Sequence, residues 1–311
     1  MVVLLNNFFL HSEMDHNKAV ENFKNILINE PDVSPAVAAL RVLLDFMNNE
    51  TSETIQGMEK NIKSLVEALN TVDCSITSVK SACELFMRFI TLAALDQSDF
   101  NECKKVLSLR GVAFFKKVCC ARSKIAKLGQ QFIFDNQEIL IHSHSRVVYE
   151  TLVLASKSKK RFHVYVTESA PDFSGKMMHE KLEKAGISCT LILDAAVSYV
   201  LEKVDLIFLG AEGVAESGGI INKIGSFNIA ICAKAMHKPV YVLAESFKFL
   251  RIYPLNQRDL PNELKHLSSK VNSKDHPLID YTPPSYITLL FSDLGILHPS
   301  AVGDELISLY V

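Results

Sequence analysis

The 311-residue chain has little net charge: 33 Lys and Arg against 35 Asp and Glu leave a formal −2. No global field therefore draws it to nucleic acid or anionic lipid. A nucleic-acid reading would need a local basic patch. The cluster Lys157, Lys159, Lys160 and Arg161 reads instead as a solvated helix end that suits the helix dipole. No C-x-x-C occurs among the seven cysteines, so a structural zinc site is not expected. Cys74, Cys83, Cys103, Cys119, Cys120, Cys189 and Cys232 lie mostly within apolar segments and read as reduced, buried thiols. No apolar run approaches the ~20 residues of a membrane span. "MVVLLNNFFL" lacks the basic start and small-x-small site of a signal peptide. The expectation is a cytosolic protein with no cofactor and no metal.

Three phosphate and nucleophile signatures are also missing. From Gly213 the chain reads G-V-A-E-S-G-G-I, without the lysine and hydroxyl of a P-loop. G-x-G-x-x-G and the G-x-S-x-G elbow are absent too. Nucleoside-triphosphate, dinucleotide and elbow-type hydrolase sites are thereby disfavoured.

What is present is an ordered, 48% hydrophobic chain long enough for two domains. Residues 1–130 carry apolar residues at helical spacing. "SPAVAALRVLLDFMNN" places Ser34 as N-cap and Pro35 at the first helical position, with Val37, Leu40, Leu43, Leu44 and Met47 on one face. A long amphipathic stretch from Asn101 reads as breaking near Gly111. After Asp135-Asn136 the pattern changes. "EILIHSHS", "RFHVYVTES", "CTLILDA", "VDLIFLGAE" and "PVYVLAES" alternate with helical stretches. Apolar strands each followed by a helix imply a mainly parallel sheet covered on both faces, a Rossmann-like α/β domain over 131–311. The polar stretch Asn256–Pro277 reads as a long binding loop or a mobile one.

Ligands of open parallel sheets bind beyond the carboxyl ends of the strands. Those ends supply His142, Ser143, His144, Ser145, Arg146, Glu168, Ser169, Asp194, Glu212 and Glu245. Two histidines without a nearby third ligand do not make a metal site. In "GGIINKIGS", Gly218 and Gly219 let the backbone approach a ligand. Asn222 and Lys223 then fall at a helix start. That is either an anion site or a tight strand-to-helix turn capped by Asn222.

"ETIQGM", "CELFMRFI", "RFHVYVTESAPDFSGKMM", "LDAAVSYVLEKVDLIFLGAEGVAESGGIINKIGS", "KPVYVLAESFKF" and "DYTPPSYITLLFSDLGILHPSAVGDELISLYV" resemble the alpha-subunit family of eukaryotic translation initiation factor 2B. The similarity runs from Pro31 to Val311. The family shares its fold, a helical N-terminal domain and a Rossmann-like domain, with sugar-phosphate isomerases such as methylthioribose-1-phosphate isomerase. Those isomerases use a cysteine in an "LTHCN"-like strand end and an aspartate in "GAD". Here "LIHSH" puts Ser143, and "GAE" puts Glu212, at those places. Their "TRPxxQG" loop reads "SAPDFSG", with Ala170 at the arginine and Ser174 at the glutamine, while "NKIG" survives as Asn222 to Gly225. A hydroxyl is a poor substitute for a thiol, so the resemblance implies lost isomerase chemistry. It leaves a candidate sugar-phosphate or nucleotide pocket of His142, Ser143, Ser145, Arg146, Glu168, Glu212, Asn222 and Lys223.

The resemblance further implies a regulatory subunit that forms a homodimer through its α/β domain and joins beta and delta subunits. The resulting complex senses the phosphorylated alpha subunit of initiation factor 2 and slows guanine-nucleotide exchange. The exchange activity itself belongs to an epsilon subunit. Exposed positions such as Glu50, Thr51 and Glu53 are candidates for meeting the phosphorylated partner. The alternatives are an active sugar-phosphate isomerase and a free-standing metabolite sensor.

Overall fold

Helical periodicity in the first half is realised as α1 (Val2–Asn29), α2 (Pro35–Asn49), α3 (Ile55–Leu69), α4 (Ile76–Thr91) and α5 (Phe100–Gly129) in a computed structural model. It describes residues 2–30, 32–49, 52, 54–72, 76–91, 100–260 and 277–310. Glu50, Thr51, Glu53 and most of the 256–277 stretch lie outside the described residues. The chain divides into two compact units, one through Cys119 and one running Cys120–Leu309.

In the first unit, the Ser34 hydroxyl accepts the Val37 N–H at 3.3 Å and starts α2. Leu40, Leu43, Leu44 and Met47 are buried, and so are Ala36, Ala38, Ala39 and Val42. Burial on nearly every side makes α2 the central helix of its unit, packed by α1, α3 and α4. The Thr54 hydroxyl caps α3 through the Gly57 N–H at 3.1 Å. Helix α5 does not break at Gly111. A Cβ there would meet Leu44, Met47 and Phe86, so the glycine serves a close crossing, not a turn. Cys119 and Cys120, on α5, are exposed rather than buried, because they fall on its outward face. None of the six described cysteines forms a disulfide.

The second unit continues with β1 (Gln137–His142), α6 (Arg146–Lys157), β2 (Phe162–Thr167), α7 (Ser174–Lys184), β3 (Cys189–Ile192) and α8 (Val197–Leu201). Next come β4 (Leu206–Gly210), β5 (Gly213–Ala215), β6 (Ile220–Lys223), α9 (Ser226–Ala235), β7 (Val240–Leu243) and β8 (Phe249–Leu250). β9 (Ile279–Thr282), β10 (Leu289–Ser292), β11 (Gly295–Leu297) and α10 (Val302–Tyr310) close it. The main sheet has the order β11-β10-β7-β4-β1-β2-β3, parallel except for β11. From β1 the chain moves outward to β2 and β3, then crosses back to β4, β7 and β10. The order reverses between β1 and β4, which is where open sheets bind ligands. Consecutive residues Ile139, Leu140 and Ile141 are all buried, as a strand covered on both faces requires.

A small second sheet, β8-β5-β6-β9, grows from the glycine-rich stretch. The sequence leads there directly from strand to helix, but Asn222 and Lys223 belong to β6 and pair antiparallel with β9. Helix α9 begins only at Ser226. The basic cluster after α6 is partly structural. Lys160 Nζ donates to the carbonyls of Gln130 and Ile133 at 2.6 and 2.7 Å, closing the turn after α5.

Candidate functional site

β1 ends at His142, and the next residue, Ser143, is buried with φ 61°. β4, its neighbour across the reversal, ends at Gly210. Ser145 starts α6, its hydroxyl accepting the Val148 N–H at 3.5 Å. That hydroxyl occupies the space a Cβ on Gly210 would need. The glycine of "FLGAE" thus lets the β1–α6 turn press on the end of β4.

His142 is buried and both ring nitrogens are engaged. Nε2 lies 2.9 Å from the Ile224 carbonyl, and Nδ1 lies 2.6 Å from the Thr167 hydroxyl. A carbonyl only accepts, so Nε2 carries the proton and Nδ1 accepts from Thr167. Burial pulls its pKa below the ordinary histidine value, against the opposing pull of Asp194 and nearby backbone carbonyls. A neutral His142 therefore latches β1 and β2 to the turn after β6. Gly225, with φ 103°, lies against the ring, and its missing Cβ gives the imidazole room.

Ser143 opens a relay. Its hydroxyl is 2.6 Å from that of Ser174, and the Ser174 hydroxyl donates to Asp172 Oδ1 at 2.8 Å. Ser143 is therefore the donor to Ser174. Asp172 Oδ2 accepts from Lys223 Nζ at 2.7 Å. Burial pushes the Asp172 carboxyl up, but the Lys223 ammonium and the Ser174 groups outweigh it and hold its pKa below the ordinary value. The fold thus brings together Ser143, Ser174 and Lys223, three of the positions aligned with the isomerase pattern. Asp172, which joins Ser174 to Lys223, was not among the sequence candidates, and its only signal was its place in the loop after β2.

Asn222 departs from this group. It is buried, and its amide donates to the Ser226 hydroxyl at 2.9 Å, stabilising the turn into α9. The start of α9 already holds a carboxyl group. The N–H groups of Gly225 and Phe227 donate to Asp280 Oδ2 at 2.8 and 3.0 Å. The place expected for a helix-start anion is therefore filled by a side chain of the protein itself. Arg146, Glu168 and Glu212 sit half-buried beside the ends of β1, β2 and β4. The Glu212 N–H donates to the Ile221 carbonyl, fixing the step from β4 to the small sheet.

Other acids of the rim are spent on the scaffold. Asp194 accepts the N–H groups of Ser169 and Ala170 at 3.0 and 2.7 Å. Glu245 is buried, 3.0 Å from Lys248 Nζ and 3.9 Å from Arg122 Nε. Burial raises its pKa, but the two cations more than reverse that and leave it ionised below the ordinary value. Lys248 also donates to the Ala211 carbonyl at 2.7 Å, next to Glu212. Among the described residues, no group of three His, Cys, Asp or Glu is placed to hold a metal ion. No described helix is long and apolar enough to cross a membrane.

The profile of the "Initiation factor 2 subunit family" matches residues 29–299. The chain is 42% identical over 305 residues to the Caenorhabditis elegans protein named translation initiation factor eIF2B subunit alpha, covering 96% of this chain and 100% of that one. It is 28% identical over 271 residues to the ribose 1,5-bisphosphate isomerase of Archaeoglobus fulgidus, covering 84% and 83% of the two chains. Among solved structures, the Pyrococcus horikoshii translation initiation factor eIF-2B superposes with a TM-score of 0.69 at 27% identity, over 91% of this chain and 97% of that one.

Proposed function

Since the chain belongs to the initiation factor 2 subunit family, we propose that it is the alpha-type regulatory subunit of translation initiation factor 2B. In this reading it pairs with itself, joins beta and delta subunits in the cytosol, and helps the complex respond to phosphorylated initiation factor 2. The end-to-end correspondence with an alpha subunit carries the proposal, since it covers 96% of this chain and all of the relative. The test is reconstitution. Adding the purified chain to the remaining subunits should deepen the inhibition of nucleotide exchange by phosphorylated initiation factor 2. Unchanged inhibition, with no co-migration of beta and delta subunits, would overturn it.

The strand-end site is proposed to hold a small anion, a sugar phosphate or nucleotide, without converting it. Ser143 supports this. Its hydroxyl proton is committed to Ser174, and a hydroxyl ionises far less readily than the thiol of the isomerase pattern. Glu212 in place of aspartate displaces the carboxylate by about an ångström, enough to cost ~100-fold in rate. The isomerase relative favours the second reading, an active enzyme. Turnover of ribose 1,5-bisphosphate that Glu212→Ala abolishes would establish that reading instead. Calorimetry with sugar phosphates and nucleotides tests binding by itself, and no heat from any of them would remove the pocket.

A further inference from the structure

In the helical unit, the part of α5 up to Cys119 carries two opposite stripes. Cys103, Leu107, Phe114 and Val118 are buried. Lys105, Leu109, Val112 and Lys116 follow one another by steps of four, three and four, and so form one line on the helix surface. Lys105 comes two residues after Cys103, about 200° around the helix, so the second line points away from the core of its unit. Leu109 is 71% exposed and Val112 is 37% exposed. Single exposed apolar side chains are ordinary, but these two are neighbours on one face, with a lysine before and after them.

The charge around this pair has one sign. Between Phe100 and Cys119 the helix carries Lys104, Lys105, Arg110, Lys116 and Lys117 against a single acid, Glu102 in its first turn. Among the described residues, no carboxylate pairs with Lys105, Lys116 or Lys117. The Arg110 guanidinium lies 5.9 Å over the ring of Phe89, which is itself 41% exposed, and so adds a cation on the flank. A cleft of about 550 Å³ opens at the Lys105 end. Its described lining is Asn48, Lys104, Lys105 and Ser108, again without a carboxylate. The Ser108 hydroxyl donates to Asn48 Oδ1 at 2.8 Å and ties the end of α2 to α5 there.

We infer that this face of α5 docks an acidic amphipathic helix of a partner protein. Apolar side chains of the partner cover Leu109 and Val112, its carboxylates meet Lys105 and Lys116, and a further acidic side chain enters the cleft. Helix-on-helix recognition of this kind uses anchors spaced by three and four residues, which is the spacing the face presents. The unmatched cations set the sign of the partner, since complementary charge steers an encounter and like charge suppresses it. The apolar pair favours a protein over a nucleic acid. It interrupts the line of cations that a phosphate backbone would need along its track. Nothing in the proposal depends on the strand-end site or on its anion.

The probe is a labelled synthetic helix of about 18 residues, or five turns, with leucines on one stripe and glutamates elsewhere. A twin carries lysines in place of the glutamates. Fluorescence anisotropy follows the binding of each to the full chain. The acidic helix should bind and the basic twin should not. Lys105→Glu combined with Lys116→Glu should weaken the acidic helix about tenfold. Leu109→Gln combined with Val112→Gln should weaken it by a similar factor, because the charge remains but the apolar contact is lost. Both pairs lie on the surface, so thermal melts of the variants should stay close to the parent. The inference is overturned if the acidic helix fails to bind, if the twin binds equally well, or if either double variant binds as the parent does. A short RNA duplex that binds more tightly than the peptide, and loses affinity only in the lysine variant, would assign the face to nucleic acid instead.

Discussion

Asp172 holds Lys223 at 2.7 Å, so an anion arriving at the strand ends meets an ion pair instead of an unshielded ammonium. The same pairing makes a sharp prediction at this scale. Asp172→Asn keeps the hydrogen bond from Ser174 and removes the competing charge. Ribose 5-phosphate should then bind several-fold more tightly, while Lys223→Ala should weaken it about tenfold. Equal affinities in the three proteins, measured by calorimetry, would show that Lys223 does not face the ligand. Asp280 supports a prediction about pH. Its folded pKa of about 7 lies above the ordinary 3.8, so its contribution to stability is full below pH 4 and is lost as pH rises to 7. At about 1.4 kcal/mol per unit, the loss approaches 4 kcal/mol. His142 works in the opposite direction, because its lowered pKa costs stability as pH falls below its ordinary value. Comparing Asp280→Asn with the parent cancels that effect. The advantage of the parent over the variant should shrink steadily between pH 5 and pH 7 in thermal melts. These residues also mark what the sequence could convey. Ser143 and Lys223 were legible as chemistry-bearing side chains at strand ends. Their partners were not, because Asp172 lies 51 residues from Lys223, and Asp280 lies 55 from the Gly225 it caps. Only the fold sets such pairs.

At the level of elements, β1, β2, β3, β4 and β7 were readable as apolar runs that end in polar residues and precede helices. β5, β6 and β9 were not, since strands of three or four residues that are almost wholly buried carry no alternation and include Gly, Asn and Asp. Gly111 misled for a related reason. A glycine inside a helix signals a break unless a neighbour needs its missing Cβ, and here Leu44, Met47 and Phe86 do. Gly175 is the counterpart in the α/β unit. It lies in the first turn of α7, its N–H donates to the Glu168 carbonyl, and a Cβ would run into the carbonyl oxygen of Thr167. That obstacle is backbone and cannot swing aside. Gly175→Ala should therefore lift α7 from the end of β2 and cost about 3 kcal/mol. Chemical denaturation measures it. The shift at the same place should also loosen Ser174 from Ser143, so anion binding should weaken in the folded fraction.

For the molecule as a whole, the proposed self-pairing needs an apolar face that the described unit leaves open. The edge strand β3 and the turn into α8 offer one. Leu193 is 61% exposed and Tyr199 is 76% exposed, while their neighbours Val197, Val200 and Leu201 are buried. Edge strands with apolar neighbours invite another chain unless charge protects them. Leu193 follows β3 directly, and β3 has a hydrogen-bonded partner on one side only, β2. A contact there would cover the side chains together with the open edge. If the homodimer forms through this face, Leu193→Arg combined with Tyr199→Glu should convert it to a monomer in sedimentation experiments. Exposed side chains contribute little to the folded monomer, so the melting temperature at low concentration should change by only a few degrees. A double variant that stays dimeric would place the contact elsewhere on the α/β unit. One that turns monomeric yet still makes exchange sensitive to phosphorylated initiation factor 2 would separate self-pairing from regulation.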